Sequence, residues 1–253
     1  MKNVIMFALA MLGICAMAGA NSLPQEEFDV IVDREMFKFR HHDDWFAAID
    51  YWKTQGATDE MFAEAYAKIA RRTMNAPEGS RDAYKCHTSI IDGLRIHATD
   101  AQLTNLVFLA RHAPLEPARS AVRSFHARKK GTPEYLDFAE GMLNATNRPD
   151  RVIADVLVTL DNDESYRSSN DVHVRERIAN MARKGMKESG PCILTADRLL
   201  VRYDSSYRNS PTRKSLVRRI LNSPDSESEE GKNTPRGHMI RYFKAVKKEM
   251  ESL

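Results

Sequence analysis

From Asp43 onward the apolar residues of this chain recur at helical spacing, segment after segment. No single segment is wide enough to hide its apolar face alone. Met61, Phe62, Ala65, Tyr66 and Ile69 fall at i, i+1, i+4, i+5 and i+8, one stripe at 3.6 residues per turn. The same rhythm returns in Trp45, Phe46, Ile49 and Trp52, in Leu103, Leu106, Val107 and Ala110, and in Ala118, Ala121, Val122 and Phe125. It continues through Leu136, Ala139, Met142 and Leu143, through Val152, Ile153, Val156, Leu157 and Leu160, and through Val174, Ile178, Met181 and Ala182. Leu194, Leu199, Leu200 and Tyr203 form another stripe, and Leu216, Val217, Ile220 and Leu221 the next. Such faces must lean on their neighbours.

Start and stop signals divide the stripes. Asp43 and Asp44, Thr58, and Thr99 with Asp100 are side chains that accept from the first free N–H groups of a helix. Thr132 followed by Pro133, and Ser210 followed by Pro211, set a cap before a proline at the first helical position, where no N–H is missed. Pro149 opens a further helix; Gly56, Gly131 and Gly185 end helices. Alternate helices start near residues 59, 101, 134, 172 and 212, separations of 42, 33, 38 and 40. Periods of that size predict an all-α fold of stacked helical hairpins, an irregular α-solenoid; an irregular helical bundle is the alternative.

Three stretches stand outside the rhythm. Residues 21–42 are ambiguous: Phe28 to Val32 with Met36 to Phe39 can pair as short strands, or the stretch is an N-terminal helix broken at Pro24. Residues 223–236 (SPDSESEEGKNTPR) hold no large apolar residue and read as a polar flexible linker, unable to offset its ordering entropy. Residues 237–253 carry Met239, Phe243, Val246 and Met250, an amphipathic last helix that packs back as a cap or binds a partner. The helical repeat domain is thus expected over 43–222.

The first twenty residues set the expected compartment. Lys2 precedes an uncharged apolar run, Val4 to Met17, and then Ala18, Gly19 and Ala20. That order predicts a signal peptide over 1–20, cleaved between Ala20 and Asn21, and an exported, periplasmic or secreted mature chain. No later stretch is apolar enough for a transmembrane segment. The formal charge of +3 is unevenly spread: residues 21–100 hold 15 acids and 10 bases, residues 161–253 hold 14 acids and 19 bases. The basic half can favour an anionic partner or be a set of solvated helix faces; export argues against nucleic acid. Cys86 and Cys192 survive cleavage and are a candidate disulfide in an oxidising compartment, or two buried thiols. Asn144-Ala-Thr146 matches a glycosylation acceptor.

Pro117-Ala-Arg-Ser-Ala-Val-Arg123, Asp171-Val-His-Val-Arg-Glu-Arg-Ile-Ala179 and Pro211-Thr-Arg-Lys-Ser-Leu-Val-Arg-Arg-Ile-Leu221 resemble the second helix of HEAT repeats, which typically carries an Asp or Pro, then Val-Arg, then small apolar residues. The resemblance covers roughly residues 100–222. It implies a curved helical scaffold for binding other molecules and brings no catalytic residues.

Motifs for chemistry are sparse. His41, His42, Asp43 and Asp44 are adjacent and so point in different directions, which suits a helix start better than a metal site. His87, His97, His112, His126, His173 and His238 stand singly, without helical metal-ligand spacing. No nucleophile elbow, phosphate loop or dinucleotide fingerprint occurs, so no cofactor is expected. Asp161, Asp163 and Glu164 are the one acidic group that a helical glycosidase can use, though they read first as a charged loop. Trp45 and Trp52, seven apart, suit core packing more than sugar stacking. The expected function is a non-catalytic scaffold for another protein or an extracytoplasmic polymer; the alternative is a secreted, glycan-directed helical hydrolase with an acidic pair.

Overall fold

The computed structural model describes residues 24–36, 49–73, 90–145, 148–188, 190–223, 230 and 232–251. Among them every regular element is helical and no strand occurs, so the fold is all-α. In chain order the helices are α1 (Gln25–Met36), α2 (residues 49–54), α3 (Asp59–Thr73), α4 (residues 90–97), α5 (Thr104–His112), α6 (Leu115–Lys129) and α7 (Pro133–Asn144). They continue with α8 (Asp150–Asn162), the single turn α9 (Glu164–Arg167), α10 (Val172–Gly185), α11 (Gly190–Tyr203), α12 (Pro211–Leu221) and α13 (Pro235–Glu251). A short 3₁₀ turn, Ala101–Leu103, leads into α5.

The ambiguous N-terminal stretch is helical where it is described. Pro24 lies just before α1, where its missing N–H costs nothing, and its carbonyl accepts from Phe28 N at 3.0 Å. Phe28 and Val32, one turn apart, are both fully buried, a spacing that a strand would send to one face only by leaving the residues between them for the other. Phe28 meets Phe62 edge-on at 4.9 Å and Trp52 at 6.1 Å, which seats α1 on α3.

The local signals act at the expected residues. Thr58 Oγ1 accepts from Met61 N at 3.2 Å, and the Thr132 and Ser210 side chains accept from Tyr135 N and Arg213 N. Asp171 Oδ1 takes two N–H groups, those of His173 and Val174. Gly56 and Gly131 adopt φ of +90° and +72°, which a side chain disfavours. Pro117 lies buried in the first turn of α6, where a proline is tolerated.

Packing follows an alternating order. α5 lies against α6, α7 against α8, α10 against α11 and α12 against α13, each pair a helical hairpin. The later member of each hairpin packs on the later member of the next: α6 on α8, α8 on α11, α11 on α13. On the other side α7 packs on α10. One buried apolar cluster runs from Phe28 to Tyr207, and a second joins Leu216, Val217, Ile220, Ile240, Phe243 and Val246. Met186, half-buried, touches both.

Candidate functional site

The helices just described bring together side chains about one hairpin apart in sequence. Arg119 on α6 reaches Asp155 on α8, thirty-six residues on, with Nε to Oδ2 at 2.6 Å. Arg177 on α10 donates to Glu140 at 3.0 Å and to Asp137 at 2.6 Å, both on α7. His126 on α6 meets Asp163 at 2.9 Å, and His97 on α4 meets Asp59 at 2.7 Å. Arg202 on α11 reaches Asp161 at the end of α8, and Arg208 reaches Glu249 on α13. Arginine serves here because its long stem and planar fork span the gap between stacked helices and match a carboxylate.

The carboxylates of residues 161–164 are not a solvated loop. Asp161 is 2 % exposed and Asp163 fully buried. Asp163 Oδ1 caps α9 by accepting from Ser165 N at 2.9 Å, while Oδ2 accepts from Gly131 N at 3.0 Å and faces His126 Nε2. Asp161 is held by Arg198 Nη2 at 2.9 Å and by Arg202 Nη1. Glu164 alone of the three is exposed. The oxygens of both buried acids are thus taken by protein donors, which an acid–base pair on a sugar must leave open.

A third buried carboxylate, Asp197 on α11, carries no sequence signal of its kind. Its oxygens accept from Arg213 Nε and Nη2, from Tyr207 Oη at 3.0 Å and from Tyr242 Oη at 2.8 Å. Burial, with Asp197 beside each ring hydroxyl, raises the pKa of both tyrosines, so they stay protonated and donate. The pattern that could have pointed to this cluster is an Asp sixteen residues before an Arg, each on the apolar side of its helix.

The other sequence-derived candidates divide between described and undescribed residues. Cys192 is a buried free thiol whose Sγ donates to Asp150 O at 3.2 Å; burial pushes its pKa up to about 12. Its candidate partner Cys86 lies outside the described residues, as do Ala20 and Asn21, the cluster His41 to Asp44, Trp45 and His87. Trp52 is buried against Phe28 and Tyr51, the packing role. His112 lies against Phe108, His173 is exposed, and His238 Nδ1 meets Arg241. Among the described residues no group of three His, Cys, Asp or Glu side chains is placed to hold a metal ion. No helix among them is long and apolar enough to cross a membrane.

The exposed residues of α6, α8 and α11 include the guanidiniums of Arg123, Arg151 and Arg198, beside Glu116, Ala127, Val158 and Asn162. Arg123 on α6 and Arg198 on α11 are 54 % and 45 % exposed in their side chains, while the acids they meet, Asp155 and Asp161, are 14 % and 3 % exposed. Such a layering, acid beneath and base above, can recognise anionic groups in a partner. No protein-family model matches this chain, and no curated protein or solved structure matches it.

Proposed function

We propose that this chain is an exported, non-catalytic binding scaffold, an irregular α-solenoid of stacked hairpins that presents the exposed side of its later helices to another protein or an extracytoplasmic polymer. The observation that carries the reading is the packing of α6 on α8, α8 on α11 and α11 on α13, stitched by side chains about one hairpin apart. Hairpins that lean on the next in line leave one extended face uncovered, which is what solenoids use for binding. Of the HEAT-like segments, the one on α6 lies on the second helix of its hairpin, as the resemblance implies, while those on α10 and α12 lie on the first helix of theirs. Export rests on the order of charge, apolar run and small residues over 1–20.

The hydrolase reading gains no support from residues 161–164, since Asp161 and Asp163 are enclosed and bonded and Glu164 alone of the three is exposed. The test combines two measurements. The purified chain is screened against peptidoglycan, polysaccharide and peptide substrates, and it is cross-linked to material from the exported fraction of its native cell. Cross-links confined to the exposed residues of α6, α8 and α11, with no turnover, are expected. Turnover that disappears on substituting one carboxylate overturns the scaffold. Mass spectrometry of the exported chain, with Asn21 as its first residue, checks the signal.

A further inference from the structure

α8 carries a stripe of Arg151, Asp155, Val158 and Asn162, each one turn from the last, of which Arg151, Val158 and Asn162 are exposed and Asp155 is half-buried. On one flank α6 lays Arg119 and Arg123, one turn apart, onto Asp155, at 2.6 Å and 3.9 Å. On the other flank α11 lays Arg198 and Arg202, again one turn apart, onto Asp161. Two arginine pairs therefore frame the middle helix, and each pair shares one carboxylate that lies below it. Among the described residues Glu116 is a further acid touching the frame, bonded to Arg119 at 3.0 Å. Each guanidinium has five N–H donors, more than a shared carboxylate can take.

We propose that this arginine frame is a docking site for an acidic, extended polypeptide segment of a partner protein, which lies across α6, α8 and α11 with its carboxylates on Arg123 and Arg198. The inference rests on the scaffold reading and names its partner class. Three observations carry it. The outward groups on both flanks are guanidiniums, whose planar forks accept carboxylates edge-on. Val158, 38 % exposed, stands on the helix between the two pairs and gives the methylene stems of an acidic peptide something to cover, which a phosphate or sulfate polyanion lacks. The chain also shows the chemistry in small: Glu230, from its own acidic stretch Asp225 to Glu230, forms an ion pair with Lys244 and accepts through its carbonyl from Arg241 on α13, the helix next in the row.

The test is a titration of the purified chain with fluorescein-labelled poly-L-glutamate, followed by anisotropy. Poly-L-glutamine, a heparin fragment, single-stranded DNA and phosphatidylglycerol vesicles are run beside it. Binding to poly-L-glutamate is expected, weakening steeply with salt because the contacts are exposed charges. R123Q/R198Q removes the more exposed arginine of each pair and leaves Arg119 and Arg202 to hold the buried acids. It is expected to lose about tenfold in affinity, the scale of two partly exposed charge contacts, while keeping the helical circular-dichroism spectrum of wild type. V158E, which removes no partner from any buried group, is expected to weaken binding by like-charge repulsion. Wild-type chain that ignores poly-L-glutamate, variants that bind it equally, or binding shown only to heparin, DNA or vesicles overturns the proposal. Each sample is also checked by mass spectrometry for shortened probe. Cleavage would defeat the scaffold reading while leaving the docking site intact, and failure to bind would defeat the site alone.

Discussion

Arg213 on α12 grips Asp197 on α11 through Nε at 3.1 Å and Nη2 at 2.9 Å, and the two side chains are 3 % and 0 % exposed. The pair ties the second apolar cluster to the first, with Tyr242 of α13 bonded to the same carboxylate. A buried ion pair is costly to form and costlier to break, because the survivor is left charged and dry.

Asp197→Asn should therefore destabilise the chain by about 3–5 kcal/mol, since the amide cannot balance the buried guanidinium. Asp197→Leu combined with Arg213→Met removes both charges and should be more stable than either single change. Urea unfolding of Asp197→Asn, the two single changes and the double variant checks this. A double variant worse than both singles would refute the cost assigned to the unpaired charge.

His97 gives a pH dependence of definite sign. It is buried, stacked on Phe62 at 5.3 Å and near Tyr66, with Nδ1 on Asp59 and Nε2 enclosed without a hydrogen-bond partner. Burial lowers its pKa below the ordinary 6.5, outweighing the opposing pull of Asp59. A base whose folded pKa is depressed stabilises the fold fully above its ordinary pKa and loses that contribution as pH falls below it. The stability advantage of wild type over His97→Phe should shrink between about pH 7 and pH 5. Thermal melts across that range measure it, and a difference that stays constant with pH would refute the assignment.

Gly56 and Gly131 separate backbone strain from crowding. Both have positive φ, but a Cβ on Gly56 meets open space while one on Gly131 meets Ser165 Cβ at 2.6 Å. Gly56→Ala should cost about 1 kcal/mol, the left-handed penalty alone. Gly131→Ala should cost more, and Ser165→Gly should recover part of the excess. Chemical denaturation of the four proteins decides it; equal costs for the two alanines would remove the crowding argument.

Asp171 caps α10 with one oxygen and two N–H groups, at 2.8 Å and 3.4 Å. Asp171→Ala should cost about 1 kcal/mol and Asp171→Asn very little, because an asparagine oxygen accepts equally well. Equal losses in urea unfolding would assign the effect to charge at the helix start rather than to the cap bond.

The legible features in the sequence are those whose cause lies within one turn of the chain. Thr58, Thr132 with Pro133, Ser210 with Pro211, and Gly56 acted where they stand, because a cap or a left-handed residue needs only its neighbours. The apolar stripes likewise named many of the buried residues, from Phe62 and Tyr66 to Leu216 and Val217, while Met61, Val107, Leu143, Val174, Leu194 and Leu221 are half-buried. Residues 28–32 read two ways, because a short apolar run suits strand or helix equally until Phe62 and Trp52 take up Phe28.

The amino-acid order by itself thus determined that the chain is all-α, and where many of its helices begin and end. Tertiary structure alone decided which acids lie inside and which bases remain outside. Asp161 and Asp163 looked like a wet loop because the groups that hold them, Arg202 forty-one residues later and His126 thirty-seven earlier, become neighbours only when hairpins stack. A charge enters a protein interior only with its partner beside it, and partners a hairpin apart have no spacing rule that a sequence can show.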